Sequence, residues 1–537
     1  MSVSYDLSPL YRHSTSTLIA SHGALESTVL SCHGTKLILR STATSRIIRT
    51  WSLGSTPLSI SVSPSNPDLI LAYSLGEGGW ILDATRDDPV AKFDIGKVEG
   101  CSHLAWDPND PDSILVWADH RLRVSILSLK DPRTIYQIQS PKFAASHSYS
   151  FSDTYFALLE RHEHRDCIAI YSPSDSWCLL RSIVIQDPTS DLVGLKWSPD
   201  GGHYLAAWSS VTHYYVHIYT PDGRLIKSFD PYKSLASSTT AATPKPTKAA
   251  SKSAATPKAT LSPIPSEPDG YVGLGIRTVE WSLDGQFLAI GGYDGKIRIL
   301  SKVVNWEVVS ELTCPNKILA TSSTSIWREP APGWVEKTLG KGIITFDRVE
   351  PTRKSPYLNH ANDFVQPDAT RPFPKMGWSK LVWSRNGHFL VGHNQSYPNH
   401  LYVFEFLKRD PDAAEESQRL HIRPRLHTLI VLNSTVKTFQ FKPVNDDADD
   451  ETLIVLSGSK SFTVWSSTAQ IRPEGEGEVP VVVVEGIGIP TSDATTFNPN
   501  SLEFLDRAST GEQEEVIMVG EKGGMFCLVY PVDGSVH

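Results

Sequence analysis

The stretch from Arg277 to Leu300, RTVEWSLDGQFLAIGGYDGKIRIL, contains three short alternating apolar runs separated by two turn signals. The first turn contains Asp284-Gly285. The second is Asp294-Gly295, a strong hairpin signal because glycine tolerates a positive φ angle. A fourth run, NWEVVSEL, follows from Asn305 to Leu312. This order predicts a small antiparallel sheet of four strands connected by tight turns.

The same order of strands and turns recurs along the chain about once every 40 residues, except where insertions intervene. We count roughly nine units, the first of them a degenerate copy within the first 53 residues. The other eight begin near Leu58, His103, Tyr149, Leu192, Arg277, Lys380, Phe439 and Ala494.

Four short strands per repeat at this period predict an all-β WD40-type β-propeller of seven to nine blades. A single blade has too little core of its own, so neighbouring blades must bury each other's apolar faces. We therefore expect the aromatic residue that ends the first strand of several units to pack between blades. These residues are Trp106, Trp197, Trp281, Trp383 and Phe441.

The repeats divide the chain into three parts. Residues 1–234 carry the first blades and residues 270–537 the later ones, with an irregular insertion at about 313–376. Residues 235–269 are rich in Ala, Ser, Thr, Pro and Lys and contain no aromatic residue. Such a segment buries too little apolar surface to offset its ordering entropy, so we predict a disordered loop.

Three hydroxyl residues of this loop, Thr243, Thr256 and Ser262, precede prolines and lie near lysines. They are candidates for proline-directed phosphorylation, and each phosphate would add about −1.5 to −2 charge to a basic loop. Such dipeptides also arise without function in any loop of this composition. Contact of the basic loop with acidic tubulin tails is a second interpretation.

Composition argues against several function classes. The formal net charge is −9, which disfavours binding of nucleic acid or anionic membrane by charge alone. The six cysteines form no CxxC pair, and no apolar run approaches the roughly 20 residues of a membrane span. A GxSxG elbow, a phosphate-binding loop and an HExxH motif are all missing from the sequence. We expect no enzymatic activity, metal or cofactor, and a location inside the cell.

Two local patterns are candidate sites. In the cluster from Arg161 to Asp166, His162 and His164 would share one face of a strand, which favours a metal site. The cluster also falls where a hairpin turn is expected, which favours an exposed polar turn. The GxGxP stretch of Gly486, Gly488 and Pro490 is not a dinucleotide fingerprint, and we predict a turn there.

The succession of individual units resembles the spindle-pole and centrosomal WD-repeat family called WD-repeat protein eight, in a fungal-like form. The resemblance rests on ALLERHEHRDCIAIYSPSDSWCLLRSI (Ala157 to Ile183), DLVGLKWSPDG (Asp191 to Gly201) and the run from Arg277 to Leu312. It extends through GWSKLVWSRNGHFLV (Gly377 to Val391) and covers about four-fifths of the chain.

The resemblance implies a non-enzymatic scaffold at a spindle pole body or centrosome. Its partners would be a coiled-coil spindle-anchoring protein and a minus-end-directed kinesin, together anchoring microtubule minus ends and organising the mitotic spindle. The gamma-tubulin complex is a further candidate partner. Two alternatives stay open: a propeller factor in translation initiation or another multiprotein assembly, and a propeller enzyme with a polar pocket in its channel.

Overall fold

The structure is a computed structural model, and it describes most but not all of the chain. The described residues are 4–14, 19–22, 27–74, 77–93, 100–130, 134–185, 191–209, 213–232, 275–331, 333–337, 342–359, 364–368, 370, 376–406, 424–443, 451–467, 483–490, 496–505 and 516–532.

Short strands pair in sequence order into four-stranded antiparallel sheets, which we call blades I to IX. The innermost strands alternate buried and more exposed residues, whereas the second strands are almost continuously buried. Two N-terminal strands precede the first blade, β1 (Ser4–Leu7) and β2 (Tyr11–Arg12). Blade I comprises β3 (Ile19–His22), β4 (Ser27–His33), β5 (Lys36–Ser41) and β6 (Ile47–Ser52); blade II comprises β7 (Ser59–Val62), β8 (Leu69–Ser74), β9 (Gly78–Asp83) and β10 (Ala91–Phe93); blade III comprises β11 (Cys101–Trp106), β12 (Ser113–Ala118), β13 (Arg123–Ser128) and β14 (Thr134–Gln139).

The next three blades repeat the arrangement. Blade IV comprises β15 (Tyr149–Phe151), β16 (Phe156–His162), β17 (Arg165–Ser172) and β18 (Cys178–Val184); blade V comprises β19 (Leu192–Trp197), β20 (Leu205–Ser209), β21 (Val216–Tyr219) and β22 (Leu225–Phe229); blade VI comprises β23 (Ile276–Trp281), β24 (Phe287–Gly292), β25 (Lys296–Ser301) and β26 (Glu307–Thr313). Short 3-10 turns lie at Asp119–Arg121, Ser146–Ser148, Pro173–Asp175 and Lys302–Val304.

An insertion with short strands and one helical turn separates blades VI and VII. It contains β27 (Lys317–Ile318), β28 (Ser325–Arg328), α1 (Trp334–Lys337), β29 (Ile343–Thr345), β30 (Asp347–Val349) and β31 (Tyr357–Leu358). Blade VII comprises β32 (Trp378–Trp383), β33 (Phe389–Asn394), β34 (His400–Glu405) and β35 (Arg425–Val431); blade VIII comprises β36 (Thr438–Phe441), β37 (Thr452–Leu456), β38 (Ser461–Ser466) and β39 (Val483–Gly488); blade IX begins with β40 (Ser501–Leu505), β41 (Val516–Gly520) and β42 (Met525–Val532).

The outer strand of blade IX comes from the other end of the chain. Strand β1 pairs antiparallel with β42, so Tyr5 lies opposite Pro531 and Leu7 opposite Val529. The Tyr5 ring meets Phe462 of blade VIII edge to face at 5.6 Å. This exchange joins the first and last blades and closes the ring. The repeat count therefore resolves to nine blades, at the upper limit of the sequence prediction.

The core consists of nine apolar clusters in the described residues, one between each pair of neighbouring blades. The cluster between blades VI and VII is the largest and includes Trp378 and Trp383. The cluster between blades IX and I contains Val29 from blade I together with Phe526 from blade IX. Each blade thus contributes one face to each neighbour, as the sequence required.

The five predicted interblade aromatic residues are buried, between 4% and 7% exposed. Trp197 packs in the cluster between blades IV and V, and Trp281 in the one between blades V and VI. The indole Nε1 of Trp281 donates to the Lys196 carbonyl oxygen at 3.1 Å, and that of Trp383 donates to the Glu280 carbonyl at 3.3 Å. The predicted packing role is confirmed.

The insertion between blades VI and VII adds outer strands to two blades. Strand β28 pairs in parallel with β35 of blade VII, and β30 extends that sheet further. Strand β29 pairs antiparallel with β39 of blade VIII. The outermost strand of each of these blades therefore has its backbone hydrogen bonds occupied by the same chain.

Replacing Trp281 by alanine should lower the free energy of unfolding by about 3–5 kcal/mol, because it empties an interblade cluster. Thermal denaturation followed by circular dichroism measures the loss. The matched control is Leu283→Ala, two residues away and 53% exposed, which should change stability by no more than about 0.5 kcal/mol. Equal effects of the two substitutions would contradict the interblade role.

Deleting residues 1–8 should open the ring, because β42 then loses the strand that satisfies its outer backbone groups. We expect a lower melting temperature and concentration-dependent oligomers in size-exclusion chromatography with light scattering. Asp6→Ala changes an exposed side chain of the same strand and serves as the control. A truncated chain that stays monomeric with an unchanged melting temperature would show that β1 is dispensable for closure.

Candidate docking site

The predicted phosphorylation sites Thr243, Thr256 and Ser262 lie outside the described residues, as does the whole 235–269 loop. The described chain stops at Tyr232 and Lys233 begins the gap, which ends before Gly275. These two ends belong to the connection between blades V and VI. The phosphorylation and loop predictions therefore stay predictions.

The histidine cluster is a hairpin turn between the second and third strands of blade IV. Glu163 and His164 occupy the turn with φ angles of 47° and 70°, the region that such two-residue turns require. His162 Nε2 lies 2.7 Å from Glu160 Oε2, and the Tyr171 hydroxyl donates to the other oxygen of that carboxylate at 2.6 Å. A metal-binding group of three His, Cys, Asp or Glu side chains is absent from the described residues. The predicted turn is confirmed.

The flanks of this turn differ from the prediction of an entirely exposed cluster. Asp166 is 3% exposed and Glu160 is 5% exposed. Lys142 Nζ, itself buried, bonds Asp166 Oδ2 at 2.6 Å and Asp191 Oδ1 at 2.8 Å, and it also donates to the Leu192 carbonyl. This ion cluster fixes the connection before blade IV to the start of blade V.

The predicted turn at the GxGxP stretch is wrong. Gly486 and Gly488 lie within β39 and pair with β38 and β29. A Cβ atom on Gly486 would come within 2.9 Å of the Trp334 ring and 3.2 Å of Phe346. Here glycine makes room for aromatic side chains of the insertion, a packing role that the local sequence could not show.

We call the face that carries the second-to-third-strand turns and the connections between blades the upper face. A cavity of about 660 Å³ lies there against the innermost strands of blades IV, V and VI. Aromatic and aliphatic side chains provide part of its lining, and polar groups converge from its edge. Its lining includes His147, Tyr149, Val193, Lys196, Trp208, Ile276, Arg277, Val279, Glu280 and Tyr293.

A glycine on the innermost strand of blade V lets the Trp208 indole pack beside the cavity. Gly194 on the innermost strand of blade V lies directly across from Trp208. A Cβ atom at Gly194 would sit 2.2 Å from the Trp208 ring, so only glycine admits the indole there. The Trp208 side chain covers the strand and remains partly exposed in the cavity.

Blade III shows what happens where the glycine is replaced. His103 lies across from Trp117 in the equivalent pair, and their rings are 5.0 Å apart. Tyr149 of blade IV stacks against Trp117 at 4.7 Å, and its hydroxyl lies 2.9 Å from His103 Nε2. Trp117 is 0% exposed as a result. Beside Trp208 the counterpart of Tyr149 is the smaller Val279, and Trp208 remains partly exposed.

The charged side chains around the cavity differ in whether the described residues supply an ion-pair partner. Lys196 Nζ bonds Glu280 Oε2 at 2.5 Å, which neutralises the one carboxylate of the lining. Arg277 is exposed, and its guanidinium lies 5.9 Å from the Tyr293 ring centre. His147 packs its ring against Phe143 at 5.9 Å. Neither Arg277 nor His147 has a carboxylate partner within the part of the chain that the structure describes.

Further charged side chains lie around the inner wall. Lys380 of blade VII donates to the Phe439 carbonyl at 2.8 Å, and burial lowers its pKa, an effect partly offset by Glu280 and Glu503. Burial raises the pKa of Glu503, and the nearby Lys380 opposes that change. The inner wall thus carries carboxylates and amines of blades V, VI, VII and IX.

A second cavity, of about 670 Å³, lies on the upper face across blades VII to IX. Amide and hydroxyl groups dominate its lining, which includes Asn399, Asn433, Thr435 and Ser457. Several of these amides are already committed: Asn433 Nδ2 donates to the Pro330 carbonyl and Asn399 Nδ2 to the Leu432 carbonyl. It offers fewer open contacts than the first cavity.

Comparisons with known proteins agree with the fold. A mouse protein, WD repeat-containing protein WRAP73, is 27% identical over 479 residues, covering 84% of this chain and 86% of the mouse protein. A fission yeast protein, uncharacterized WD repeat-containing protein C32H8.09, is 21% identical over 372 residues, covering 68% of this chain and 61% of the yeast protein. No family model matches the chain. The chain is therefore a β-propeller whose relatives are WD-repeat proteins.

Among the described residues, no helix is long and apolar enough to cross a membrane.

Burial lowers the pKa of His103, so the folded chain keeps this imidazole neutral where an unfolded chain would protonate it. Below about pH 6.5, protonation of the unfolded chain lowers the free energy of unfolding, until the pH reaches the folded pKa. The stability advantage of wild type over His103→Gln should therefore shrink from about pH 7.5 to pH 5. Melting temperatures across this range test it, and parallel curves for the two proteins would contradict it.

Proposed function

We propose that this chain is a non-enzymatic WD-repeat scaffold at the spindle pole body or centrosome. In this proposal it acts with a coiled-coil anchoring protein and a minus-end-directed kinesin to hold microtubule minus ends. The gamma-tubulin complex is a further candidate partner. The observation that carries the proposal is the likeness to a WD-repeat protein over 84% of this chain, together with the succession of blades quoted from the sequence.

The fold suits a scaffold because a closed ring is rigid while its connections vary. Nine blades present nine upper connections and a wide inner wall, so several partners can bind without competing. The cavity beside blades IV to VI offers apolar and charged groups, and the described residues hold no group of three His, Cys, Asp or Glu side chains that could bind a metal. These features favour binding over catalysis.

Recruitment through protein partners is favoured over direct binding to the microtubule lattice. The chain has a formal net charge of −9, and tubulin tails are acidic. Like charges weaken long-range attraction between the two surfaces. The partners, the cellular location and the spindle role are parts of this proposal that can be tested separately.

The purified full chain should sediment poorly with microtubules, and adding the coiled-coil partner should increase the sedimented fraction. A fluorescently tagged chain should form foci at spindle poles in mitotic cells, and a pull-down from those cells should recover the anchoring protein and the kinesin. The tag alone is the control. Strong, salt-resistant sedimentation of the isolated chain with microtubules would overturn the proposal. So would co-migration of the chain with ribosomes together with a lack of foci at the spindle poles.

A further inference from the structure

We propose that the cavity beside blades IV to VI binds an acidic peptide segment of a partner protein through one large apolar side chain and flanking carboxylates. This inference rests on the proposed scaffold function, since it assumes that the ring binds protein partners. It assigns a particular surface and a particular partner chemistry to that role.

The apolar anchor would bind against Trp208. Its indole lies over Gly194, and the adjoining wall is formed by Ile276 and Val279. In blade III a histidine and a tyrosine of the chain itself complete the equivalent site and bury Trp117 fully. In blade VI the position of Tyr149 is held by the smaller Val279, and Trp208 stays partly exposed. An aromatic or branched side chain from outside can therefore pack against the exposed part of the indole. Such an anchor in a preformed pocket is typical of binding hot spots.

Arg277 is the reason to expect acidic residues beside the anchor of the bound peptide. Its guanidinium is exposed beside the Tyr293 ring, and no carboxylate of the described residues pairs with it. Glu280, the carboxylate of the lining, is already bonded by Lys196. Arginine binds carboxylates through two parallel hydrogen bonds, so an Asp or Glu beside the anchor would complete this edge.

His147 extends the same edge from the connection before blade IV. The buried Lys142 ion cluster holds that connection against the start of blade V, so the ring of His147 is presented on an ordered segment. A donor on each side of the apolar pocket favours a segment with acidic residues before and after its anchor.

A peptide is favoured over nucleic acid as the occupant. Part of the pocket wall is aliphatic and aromatic, and a phosphate backbone has no apolar side chain to bury there. The net charge of −9 would repel a long polyanion, whereas a short acidic segment meets the local cation. Charge complementarity at Arg277 and the open indole therefore point to the same ligand class.

The test is fluorescence anisotropy of the full chain with a set of short labelled peptides. One group carries a central Phe, Trp or Leu flanked by Glu and Asp; matched groups replace the acids by Lys or the anchor by Ala. Acidic anchored peptides should bind, and each replacement should weaken binding by at least about tenfold. A uridine oligonucleotide serves as a competitor and should not displace them.

Two variants locate the binding. Arg277→Glu should weaken the acidic peptides by at least about tenfold and strengthen the lysine-flanked ones. Trp208→Ala should weaken every anchored peptide; if it does not fold, the charge-reversed pair decides. The control Arg165→Glu makes the same charge change at an exposed turn of the same face and should leave binding within about threefold.

The outcomes separate this inference from the scaffold function. Equal binding of acidic and basic peptides, acidic binding unaffected by Arg277→Glu, displacement by the oligonucleotide, or no binding by any anchored peptide would overturn the assigned site. None of these results depends on where the chain lies in the cell. Loss of spindle-pole foci is measured separately and would overturn the scaffold proposal instead.

Discussion

Mutual burial of blade faces is the constraint on which this structure depends. No four-stranded sheet of this size encloses a core, so each blade is stable only between two others. The chain meets this requirement nine times in its described residues, with one apolar cluster at each interface. The last interface is the demanding one, because it needs both chain ends. Strand β1 completes blade IX, and Tyr5 reaches across to Phe462 of blade VIII, so the ring gains stability only when the whole circle is present.

That constraint explains which positions are free to differ. The aromatic at the end of an innermost strand packs against the preceding blade, and in blades VI and VII its indole also bonds the preceding strand. The type of residue at this position is therefore set by the packing between blades. The residues at the upper ends of the same strands have no such packing role. At one of them blade III places His103 and blade V places Gly194, opposite Trp117 and Trp208 respectively. In blade III Trp117 is fully buried, whereas in blade V Trp208 stays partly exposed beside the cavity.

The sequence predicted what is local and repeated, and it missed what is distant or depends on the neighbouring blade. Position within the repeat placed a hairpin turn in the cluster from Arg161 to Asp166, and alternation identified the interblade aromatics. Periodicity could not reveal that residues 4–7 belong to the ninth blade, because their partners lie more than 500 residues away in sequence. The sequence suggests a turn at Gly486, which lies in a strand. Glycine is needed there because the rings of Trp334 and Phe346, which belong to the insertion, pack against it. The packing of Trp208 over Gly194 beside the cavity could not be predicted, because it depends on the cross-strand register of these two residues, which sequence spacing alone does not give.

The outer edges of the ring show why binding is better placed on its upper face. Exposed edge strands invite pairing with other chains, and proteins commonly cover them. Here β28 and β29 cover the edges of blades VII and VIII with strands of the same chain, and β1 occupies the edge of blade IX. A partner strand therefore cannot pair directly with the covered side of β35, β39 or β42. At the cavity on the upper face, the described lining offers side chains such as Trp208 and Arg277 for recognition. Side-chain recognition is selective in a way that strand pairing is not, because few ligand chemistries suit both a partly exposed indole and a guanidinium that has no carboxylate partner in the described residues.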